Sequence, residues 1–393
     1  MMEAAFSLVA TLSVIAWLYL VLFRGAFWRS DQFLPDAPIS DLDWPGIVAV
    51  IPARNEADTI ADAITSHLAQ DYPGAYRIIL VNDQSTDATR QLAADAAGAN
   101  PALNIIEGTT PLERWTGKLW AVQQGLNAID HLSPNAKYIL FTDADISHSK
   151  DNLRKLVIKA EHENLVLVSQ MVMLRCVSFW ERLLIPAFVF FFQMLYPFRW
   201  VSDPKRKIAA AAGGCMLVHR KSLNEAGGIE TIRDQVIDDC ALARLLKPFG
   251  PVWLGLCRET VSLRAYEFLS EIWSMVARTA FVQLRYSLLL LAGTIISMFL
   301  IYLLPPIAAV FGLVMESQAV LVIGCISWIL MSICYVPTLR LYRQPAWTSV
   351  FMPISALVFT LMTIDSARKF LIGIPPSWRG RQTLSSPAPE TDQ

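Results

Sequence analysis

Apolar residues are concentrated at the two ends of this chain, and its middle is patterned like a soluble domain. The first apolar stretch runs from Ala4 to Phe23, which is the length of one transmembrane helix. A signal peptide is the alternative, but no Lys or Arg precedes the stretch, so an uncleaved anchor is expected. Three more apolar stretches follow the middle: Ser287 to Met315, Ala319 to Pro337 and Trp347 to Ile364.

These stretches predict the organisation of the chain. The expected parts are an N-terminal transmembrane anchor at 1–30, a soluble domain at 46–285, a C-terminal transmembrane region at 286–370 and a tail at 371–393. Arg24 and Arg29 directly follow the first apolar stretch. Because basic residues flank transmembrane helices mainly on the inner side, we expect the soluble domain in the cytoplasm. The chain is therefore predicted to be a multi-pass protein of a bacterial inner membrane.

The basic residues of the C-terminal region argue against three complete crossings there. Arg340 and Arg343 lie between the second and third stretches, and the tail carries further basic residues: Arg368, Lys369, Arg379 and Arg381. Both groups favour the cytoplasmic side. Three crossings after a cytoplasmic domain would leave the tail outside. One stretch is therefore expected to be split, re-entrant or interfacial, and Pro305–Pro306 marks a possible kink in the first.

A shorter apolar stretch, Leu183 to Phe198, lies inside the soluble part. It is interrupted by Pro186, Gln193 and Pro197, and it is short for a transmembrane helix. One interpretation is a buried core helix. The interpretation we favour is an interfacial helix near 180–200 with flanking aromatic residues. Such a helix would bring membrane lipid next to the soluble domain and implies that the substrate acted on there is a lipid acceptor.

Short β-rich runs alternate with helical stretches between residues 46 and 260. Strands are predicted at Ile47 to Ile51, Arg77 to Val81, Asn104 to Ile106 and Tyr138 to Thr142, with helices at Asp58 to Gln70, after Asp87 to Ala97 and at Lys118 to Ile129. This alternation predicts an α/β fold with a mostly parallel, helix-covered sheet. Ligands of such sheets bind outside the carboxyl ends of the strands.

Acidic residues follow the predicted strands at that edge. Asp83 comes after one strand, and Asp143 and Asp145 come after another. Two carboxylates separated by one residue suit Mg²⁺ or Mn²⁺, which take their remaining ligands from water and substrate phosphates. A D-x-D sequence alone also occurs in solvated loops, but here it follows a buried strand. The pattern therefore predicts a diphosphate substrate whose leaving group a metal would neutralise.

A second acidic pair, Asp238–Asp239, precedes a helical stretch. The two carboxylates could act as a helix cap and dipole partner. The functional interpretation is that Asp239 is a general base that accepts the proton of an acceptor hydroxyl. A single base without a second nucleophile suggests a direct displacement with inversion.

Composition and charge exclude other functional classes. The formal net charge is -1, so the chain lacks the basic footprint of a nucleic-acid-binding protein. The P-loop and G-x-G-x-x-G fingerprints are absent. The six cysteines form no C-x-x-C pair, which fits reduced, structural thiols in a cytoplasmic setting.

Six motifs in order carry a family resemblance. They are IPARNE (Ile51 to Glu56), VNDQSTDAT (Val81 to Thr89), W-x-G-K (Trp115 to Lys118), FTDAD (Phe141 to Asp145), AAGGCMLVHR (Ala211 to Arg220) and DDCALARLL. With them the chain resembles the inverting family-two glycosyltransferases, which have the GT-A (Rossmann-like) nucleotide-sugar-binding fold. SFWERLLIPAFVFFFQMLYPF and ARTAFVQLRYS are similar to segments of the hopanoid-biosynthesis-associated glycosyltransferases and, more distantly, of ceramide glucosyltransferases.

The resemblance implies a role for each motif. The nucleotide-sugar would be bound by Pro52, Arg54, Glu56, Asp83, Lys118, Asp143, Gly213, Gly214 and Arg278. Asp143 and Asp145 would hold the metal, and Asp239, with Asp238 beside it, would be the catalytic base. Processive members carry Q-x-x-R-W after the base, whereas this chain reads WSMVARTAFVQLRYS. Arg278 would then meet either the diphosphate or lipid headgroups, and a single transfer is expected. His148 and His219 are candidates for a third metal ligand or are ordinary surface or core histidines.

Together these features predict transfer of one hexose from a UDP-sugar to the hydroxyl of a membrane lipid, with a hopanoid as first choice. Other acceptors are a ceramide-like lipid, a carotenoid or a polyprenyl phosphate. A non-catalytic membrane scaffold of a lipid pathway is the alternative from another class. A transporter is disfavoured because the apolar stretches are few and carry no deeply placed ionisable residues.

Overall fold

The computed structural model describes residues 2–36, 42–375 and 377–382. The strands are β1 (Gly46–Ala53), β2 (Tyr76–Asn82), β3 (Leu103–Glu107), β4 (Ala136–Thr142), β5 (Ile146–Ser147), β6 (Leu167–Met173), β7 (Cys215–His219), β8 (Val252–Ser262), β9 (Ser377–Trp378) and β10 (Arg381–Gln382). The helices are α1 (Met2–Phe23), α2 (Ile60–Leu68), α3 (Thr89–Ala97), α4 (Gly117–Leu132), α5 (Asn152–Glu163), α6 (Phe179–Leu195), α7 (Phe198–Ser202), α8 (Arg220–Glu225), α9 (Asp238–Leu246), α10 (Leu269–Gln283), α11 (Leu288–Met298), α12 (Leu304–Val314), α13 (Gln318–Leu341) and α14 (Met352–Leu371).

The chain forms two compact units. The sheet unit comprises Gln32–Arg175, Trp200–Ala265 and Pro375–Gln393. The helical unit comprises Met1–Asp31, Cys176–Arg199 and Tyr266–Ile374. The chain thus leaves the sheet unit twice and returns to it each time, and the last return brings the C-terminal segment into the sheet unit.

An eight-stranded sheet in the order β3-β2-β1-β4-β7-β6-β8-β5 is the core of the sheet unit. The strands β3, β2, β1 and β4 are parallel, as are β6 and β8, whereas β7 runs antiparallel to β4 and β6. The prediction of an α/β fold with a mostly parallel sheet is confirmed. Each predicted strand lies within an observed strand that is two or three residues longer in total.

Apolar sequence explains the central strands. Ile47 to Ile51 is fully buried along its length, as expected for a parallel strand that is covered by helices on both faces. Helix α4 approaches this strand closely through Gly125, where an added Cβ would lie 2.5 Å from Val50 Cγ1. Thr116 caps α4 by accepting a hydrogen bond from the Leu119 N–H. This cap fixes the first turn of α4, and therefore the position of Lys118, against the sheet.

Among the described residues, four helical stretches are long and apolar enough to cross a membrane: Phe6–Phe23, Leu288–Val314, Gln318–Leu341 and Ala346–Leu371. The Pro305–Pro306 pair does not split the helical stretch Leu288–Val314. A π-helical turn at Phe299–Leu303 precedes the pair, and the prolines lie in the first turn of α12. The wider π-helical turn accommodates the N–H groups that the two prolines lack, so the helix continues through the pair from Leu288 to Val314.

The segment before α14 folds back along α13. The Trp328 Nε1–H donates to the carbonyl oxygen of Val350 over 3.1 Å. Trp328 lies thirteen residues before Leu341, the last residue of α13, which is about 20 Å along a helix. Within α14, Ser355 donates to the carbonyl of Leu183, and the ring of Phe359 meets Phe191. The segment between α13 and α14 therefore runs back to the middle of α13 before α14 begins.

Helix α6 corresponds to the apolar stretch predicted near 180–200. Its start is a capping box, in which Ser178 accepts from the Glu181 N–H and the Glu181 carboxylate accepts from the Ser178 N–H. Phe190 is fully buried, with ring contacts to Phe27 and Tyr335. Much of α6 is thus packed among other helices of the helical unit. Its placement at a membrane interface stays a prediction.

Candidate active site

Polar residues follow three adjacent parallel strands at one edge of the sheet. Strand β1 is paired with β2 on one side and with β4 on the other. Glu56 follows β1, Asp83 follows β2, and Asp143 and Asp145 follow β4. The structure therefore brings the four predicted carboxylates to the same edge, as the order of strands and motifs requires.

Lys118 joins the metal motif to the second acidic pair. Its Nζ lies 2.9 Å from Asp143 Oδ1 and 3.1 Å from Asp238 Oδ2. Burial alone would lower the pKa of Lys118, but the two carboxylates more than offset this and hold the pKa above its ordinary value. Lys118 is therefore a fixed positive charge at the point where α4 meets the sheet edge.

Asp239 is held by two backbone donors at the start of α9. Its Oδ2 accepts from the Gly213 N–H over 3.0 Å, and its Oδ1 accepts from the Cys240 N–H over 2.6 Å. Burial and the neighbouring Asp238 raise the pKa of Asp239 to about 6, against the opposing effects of Lys118 and the two N–H donors. The carboxylate is mostly ionised at neutral pH and is more basic than an ordinary aspartate. These are the properties of a general base.

Gly213 and Gly214 have different surroundings. A Cβ added at Gly213 would lie 3.5 Å from Asp239 Oδ2 and 3.6 Å from Lys118 Nζ, so this backbone borders the charged cluster directly. A Cβ at Gly214 would lie 3.0 Å from Val172 Cγ2, inside the packed core. Gly213 therefore borders the charged cluster of the candidate site. Gly214, which directly precedes β7, lacks a side chain that would press on Val172 in the core.

A pocket beside Lys118 combines these groups with apolar walls. Its lining residues include Pro52, Phe141, Asp143, Gly213, Met216 and Asp238. Pro52, which the family resemblance assigns to nucleotide-sugar binding, contributes apolar surface to this pocket. Lys118, Asp143 and Asp238 supply the charged side of the pocket.

Arg264 is a site residue that the sequence motifs did not indicate. It follows β8, and its guanidinium donates to Asp145 Oδ2 over 2.7 Å and to Glu56 Oε1 over 2.9 Å. The side chains of Asp145 and Glu56 are only 8% and 7% exposed, so Arg264 neutralises two nearly buried carboxylates. The only signal in the sequence was a basic residue directly after a strand, which is not specific.

The C-terminal hairpin β9–β10 also reaches this edge. Arg379 binds Glu56 through two hydrogen bonds, one of them 2.8 Å between Nε and Oε1. Arg381 donates to Asp83 Oδ1 over 2.8 Å. Arg54 donates to the backbone carbonyls of Asp83 and Arg379. In the sequence the two tail arginines had indicated only membrane topology, because nothing local marks them as ligands of carboxylates in β1 and β2.

The donor set of Asp143 and Asp145 suits a divalent cation shared with a diphosphate. Among the described residues there is no group of three or more His, Cys, Asp and Glu side chains that could hold a metal by itself. Two hard carboxylates are what Mg²⁺ or Mn²⁺ uses when phosphates and water complete its shell. The Asp143 side chain is 37% exposed and thus accessible. The residues present therefore fit such a metal.

The remaining predicted residues lie elsewhere. Both ring nitrogens of His148 are engaged, by Thr142 and Asn152, and burial together with His67 lowers the pKa of His148 well below its ordinary value. His148 is therefore a buried structural histidine rather than a metal ligand. His219 ends β7 and bonds Ser222. Arg278 lies on α10 in the helical unit, and its role at the donor stays a prediction.

Comparisons with known proteins agree with this architecture. The family model "Glycosyl transferase family 2" matches residues 48–227. The succinoglycan biosynthesis protein ExoO of Rhizobium meliloti is 32% identical over 117 residues, and the glycosyltransferase AglJ of Haloferax volcanii is 31% identical over 114 residues. These matches cover 30% and 29% of this chain and 30% and 32% of the relatives, so the chain spans about a third of their length.

A solved structure shares the fold. The mannosyltransferase PcManGT of Pyrobaculum calidifontis, in complex with GDP-Man and Mn²⁺, superposes with a TM-score of 0.53 at 18% identity. The superposition covers 91% of this chain and 99% of that chain. The strand order, the carboxylates at the strand ends and the family match agree: residues 48–227 match the glycosyl transferase family 2 model, and the chain has the GT-A fold.

Proposed function

We propose that the protein transfers a single hexose from a UDP-sugar to the hydroxyl group of a membrane lipid, with inversion. The observation that carries this proposal is the cluster at the sheet edge. It places a basic carboxylate, Asp239, beside a charged pocket in which Lys118 joins Asp143 to Asp238. A base next to a diphosphate-binding group is the arrangement that direct displacement at a sugar carbon requires.

The donor half of the reaction uses the carboxylates and the lysine. Asp83 and Glu56 would accept hydrogen bonds from the nucleoside, since nucleobase N–H and ribose O–H groups are donors. Lys118 would meet the diphosphate and stabilise the charge that develops on it. Asp143 and Asp145 would hold Mg²⁺ or Mn²⁺, which supplies further neutralisation of the diphosphate when bound. Arg264 holds Asp145 and Glu56 in place through its hydrogen bonds to both carboxylates.

The acceptor half uses Asp239. The N–H groups of Gly213 and Cys240 orient its carboxylate, and burial together with Asp238 raises its pKa. Asp239 would take the proton of the acceptor hydroxyl as the hydroxyl oxygen attacks the sugar. The Q-x-x-R-W motif is absent from the sequence, which favours one transfer over chain extension.

The acceptor is proposed to be a lipid because the chain carries the helical unit with its four apolar helices. A hopanoid is the first choice on the strength of the SFWERLLIPAFVFFFQMLYPF and ARTAFVQLRYS segments. The alternative acceptors are a ceramide-like lipid or a carotenoid, which offer a hydroxyl group, and a polyprenyl phosphate, which offers a phosphate. Each should be tested as an acceptor in the same assay.

The same argument extends to topology. The hairpin at 377–382 binds Glu56 and Asp83, which supports a topology with the C-terminal hairpin on the same side of the membrane as the rest of the sheet unit. In this topology residues 266–374 would cross the membrane an even number of times. The re-entrant segment before α14 meets this requirement: α11–α12 crosses, α13 crosses back, and Ala346–Leu371 enters and returns. With Arg24 and Arg29 after α1, that common side is the cytoplasm of a bacterial inner membrane.

A reporter fusion tests the topology. Green fluorescent protein at the C-terminus is expected to fluoresce, because it folds in the cytoplasm, whereas the same reporter inserted at Glu316, between α12 and α13, is expected to stay dark. A dark C-terminal fusion at normal expression would contradict the even number of crossings.

A turnover assay tests the activity. Purified protein in detergent is incubated with a panel of UDP-sugars and GDP-mannose, with Mg²⁺ or Mn²⁺, and with a lipid extract that contains hopanoids. The expected product is a lipid that has gained one hexose mass, formed by wild type and absent with Asp239→Asn. Nucleotide binding without any product in either protein would support the scaffold alternative.

A further inference from the structure

The C-terminal hairpin occupies the place where the nucleoside would bind. Its two-residue turn consists of Arg379 and Gly380, both with positive φ (48° and 78°), which is the backbone of a type I′ hairpin turn. This turn presents Arg379 to Glu56, and the strand that follows presents Arg381 to Asp83. The two carboxylates that the proposed function assigns to the nucleoside are therefore both bound by arginines of the same hairpin.

The hairpin leaves Asp83 inaccessible. Asp83 is 0% exposed, and Arg381 also donates to Gln84 Oε1 over 2.5 Å. In the part of the chain that the structure describes, Asp83 Oδ2 is buried without a hydrogen-bond partner. A buried carboxylate oxygen without a donor is costly, and it is the group that a nucleobase N–H would satisfy. A nucleotide cannot reach it while Arg381 covers Asp83.

The hairpin also covers the start of α4. A Cβ added at Gly117 would lie 3.0 Å from Arg381 Cδ and 3.3 Å from the Trp378 ring. Gly117 directly precedes Lys118, the residue proposed to meet the diphosphate. Arg54 anchors the hairpin backbone by donating to the Arg379 carbonyl over 3.3 Å. The hairpin thus extends from the nucleoside carboxylates towards the diphosphate side of the site.

We propose that the hairpin at 377–382 is a built-in plug of the donor site, whose two arginines hold Glu56 and Asp83 until a nucleoside diphosphate displaces them. The inference rests on the proposed function, since it takes these two carboxylates as the nucleoside ligands. Donor binding exchanges the arginine contacts for contacts with the base and ribose. The plug therefore lowers the apparent affinity for the donor, and it shields the buried carboxylates when no donor is present.

Nucleotide binding to the full-length protein tests the plug. Dissociation constants for UDP and GDP are measured by isothermal titration calorimetry with Mg²⁺, on wild type, on Arg379→Ala/Arg381→Ala and on the exposed control Lys221→Ala. Each pair joins a partly exposed arginine to a buried carboxylate. At about fivefold for each pair, the double variant is expected to bind roughly five- to twentyfold more tightly than wild type. The control is expected to match wild type.

Limited trypsin digestion gives an independent readout. Trypsin cleaves after arginine, and the plug predicts that saturating UDP speeds cleavage after Arg379 and Arg381 in wild type. Equal or weaker nucleotide binding by the double variant, or slower cleavage with UDP, would overturn the plug and leave the proposed function standing. Absence of binding to any nucleotide, in wild type and variant alike, would overturn the proposed function and the plug together.

Discussion

The pH dependence of turnover is the sharpest test of Asp239 as the base. Its pKa rises from an ordinary value of 3.8 to about 6, a difference that corresponds to about 3 kcal/mol between the two protonation states. Below that pKa the base is protonated and inactive. We therefore expect log kcat/KM to be level above about pH 7 and to fall with unit slope below about pH 6, so that the rate at pH 5 is roughly a tenth of the plateau.

Burial contributes most to the raised pKa of Asp239, and the neighbouring charges adjust the pH at which the profile bends. Asp238 raises the pKa of Asp239, so Asp238→Asn is expected to move the bend to lower pH by roughly one unit. Asp234→Asn removes one negative charge from the loop before α9 and serves as the matched control, with an unchanged bend. Asp239→Asn keeps the shape of the side chain and cannot accept the proton, so it is expected to lose at least about a hundredfold in kcat.

The assay measures lipid product by mass spectrometry between pH 5 and 8.5, at donor concentrations below KM. A profile without a bend near pH 6 would refute the assignment of Asp239. So would an Asp239→Asn variant that retains most of its rate. A bend that does not move in Asp238→Asn would show that the acidic neighbour is not the cause of the raised pKa.

Four further changes probe the metal, the donor site and the packing. Chelation by EDTA is expected to lower turnover more than tenfold, with recovery on titration of Mg²⁺ or Mn²⁺ and a higher metal requirement in Asp145→Asn. Arg264→Lys keeps the charge but loses the forked donor, so calorimetry should show roughly fivefold weaker UDP binding. Gly125→Ala forces a Cβ to 2.5 Å from Val50 Cγ1 and should lower the free energy of unfolding by about 1–3 kcal/mol, read as a lower Tm by intrinsic fluorescence. The buried Glu181 carboxylate accepts hydrogen bonds from three backbone N–H groups, and Glu181→Ala removes this acceptor. The free energy of unfolding should fall by about 3 kcal/mol in the same measurement, and Glu181→Gln should lower it by less.

The parallel half of the sheet was predictable because its information is local. Strand β1 is a continuous apolar run, and the polar residues after β1, β2 and β4 follow at once in the sequence. Once the strands are parallel and adjacent, their carboxyl ends must coincide. The cluster of Lys118, Asp143 and Asp239 follows from this order together with the helix starts of α4 and α9.

Residues brought in from distant parts of the chain were not predictable in the same way. Arg264 follows β8, a strand whose neighbours in the sheet are β6 and β5, and Arg379 is more than three hundred residues from Glu56. Neither carries a local pattern, since an arginine after a strand or in a tail is ordinary. Contacts between distant residues also limited the prediction of the apolar stretches. Hydropathy located these stretches, but the packing of Ala346–Phe351 back along α13 involves a contact with Trp328 that no local pattern indicates.

A ligand that is tethered to its own binding site has an effective concentration that dilution does not change. Ser377, the first residue of β9, follows closely in the sequence after Leu371, the last residue of α14, and short covalent tethers correspond to effective concentrations of about the millimolar range. The hairpin therefore behaves as a competitor of constant strength, and the apparent donor Kd exceeds the intrinsic one by the ratio of closed to open protein plus one. A free peptide of the same sequence would have to reach about millimolar concentration to match it. The occupancy of the donor site is thereby governed by the abundance of the nucleotide-sugar and is independent of how much of the protein the membrane contains.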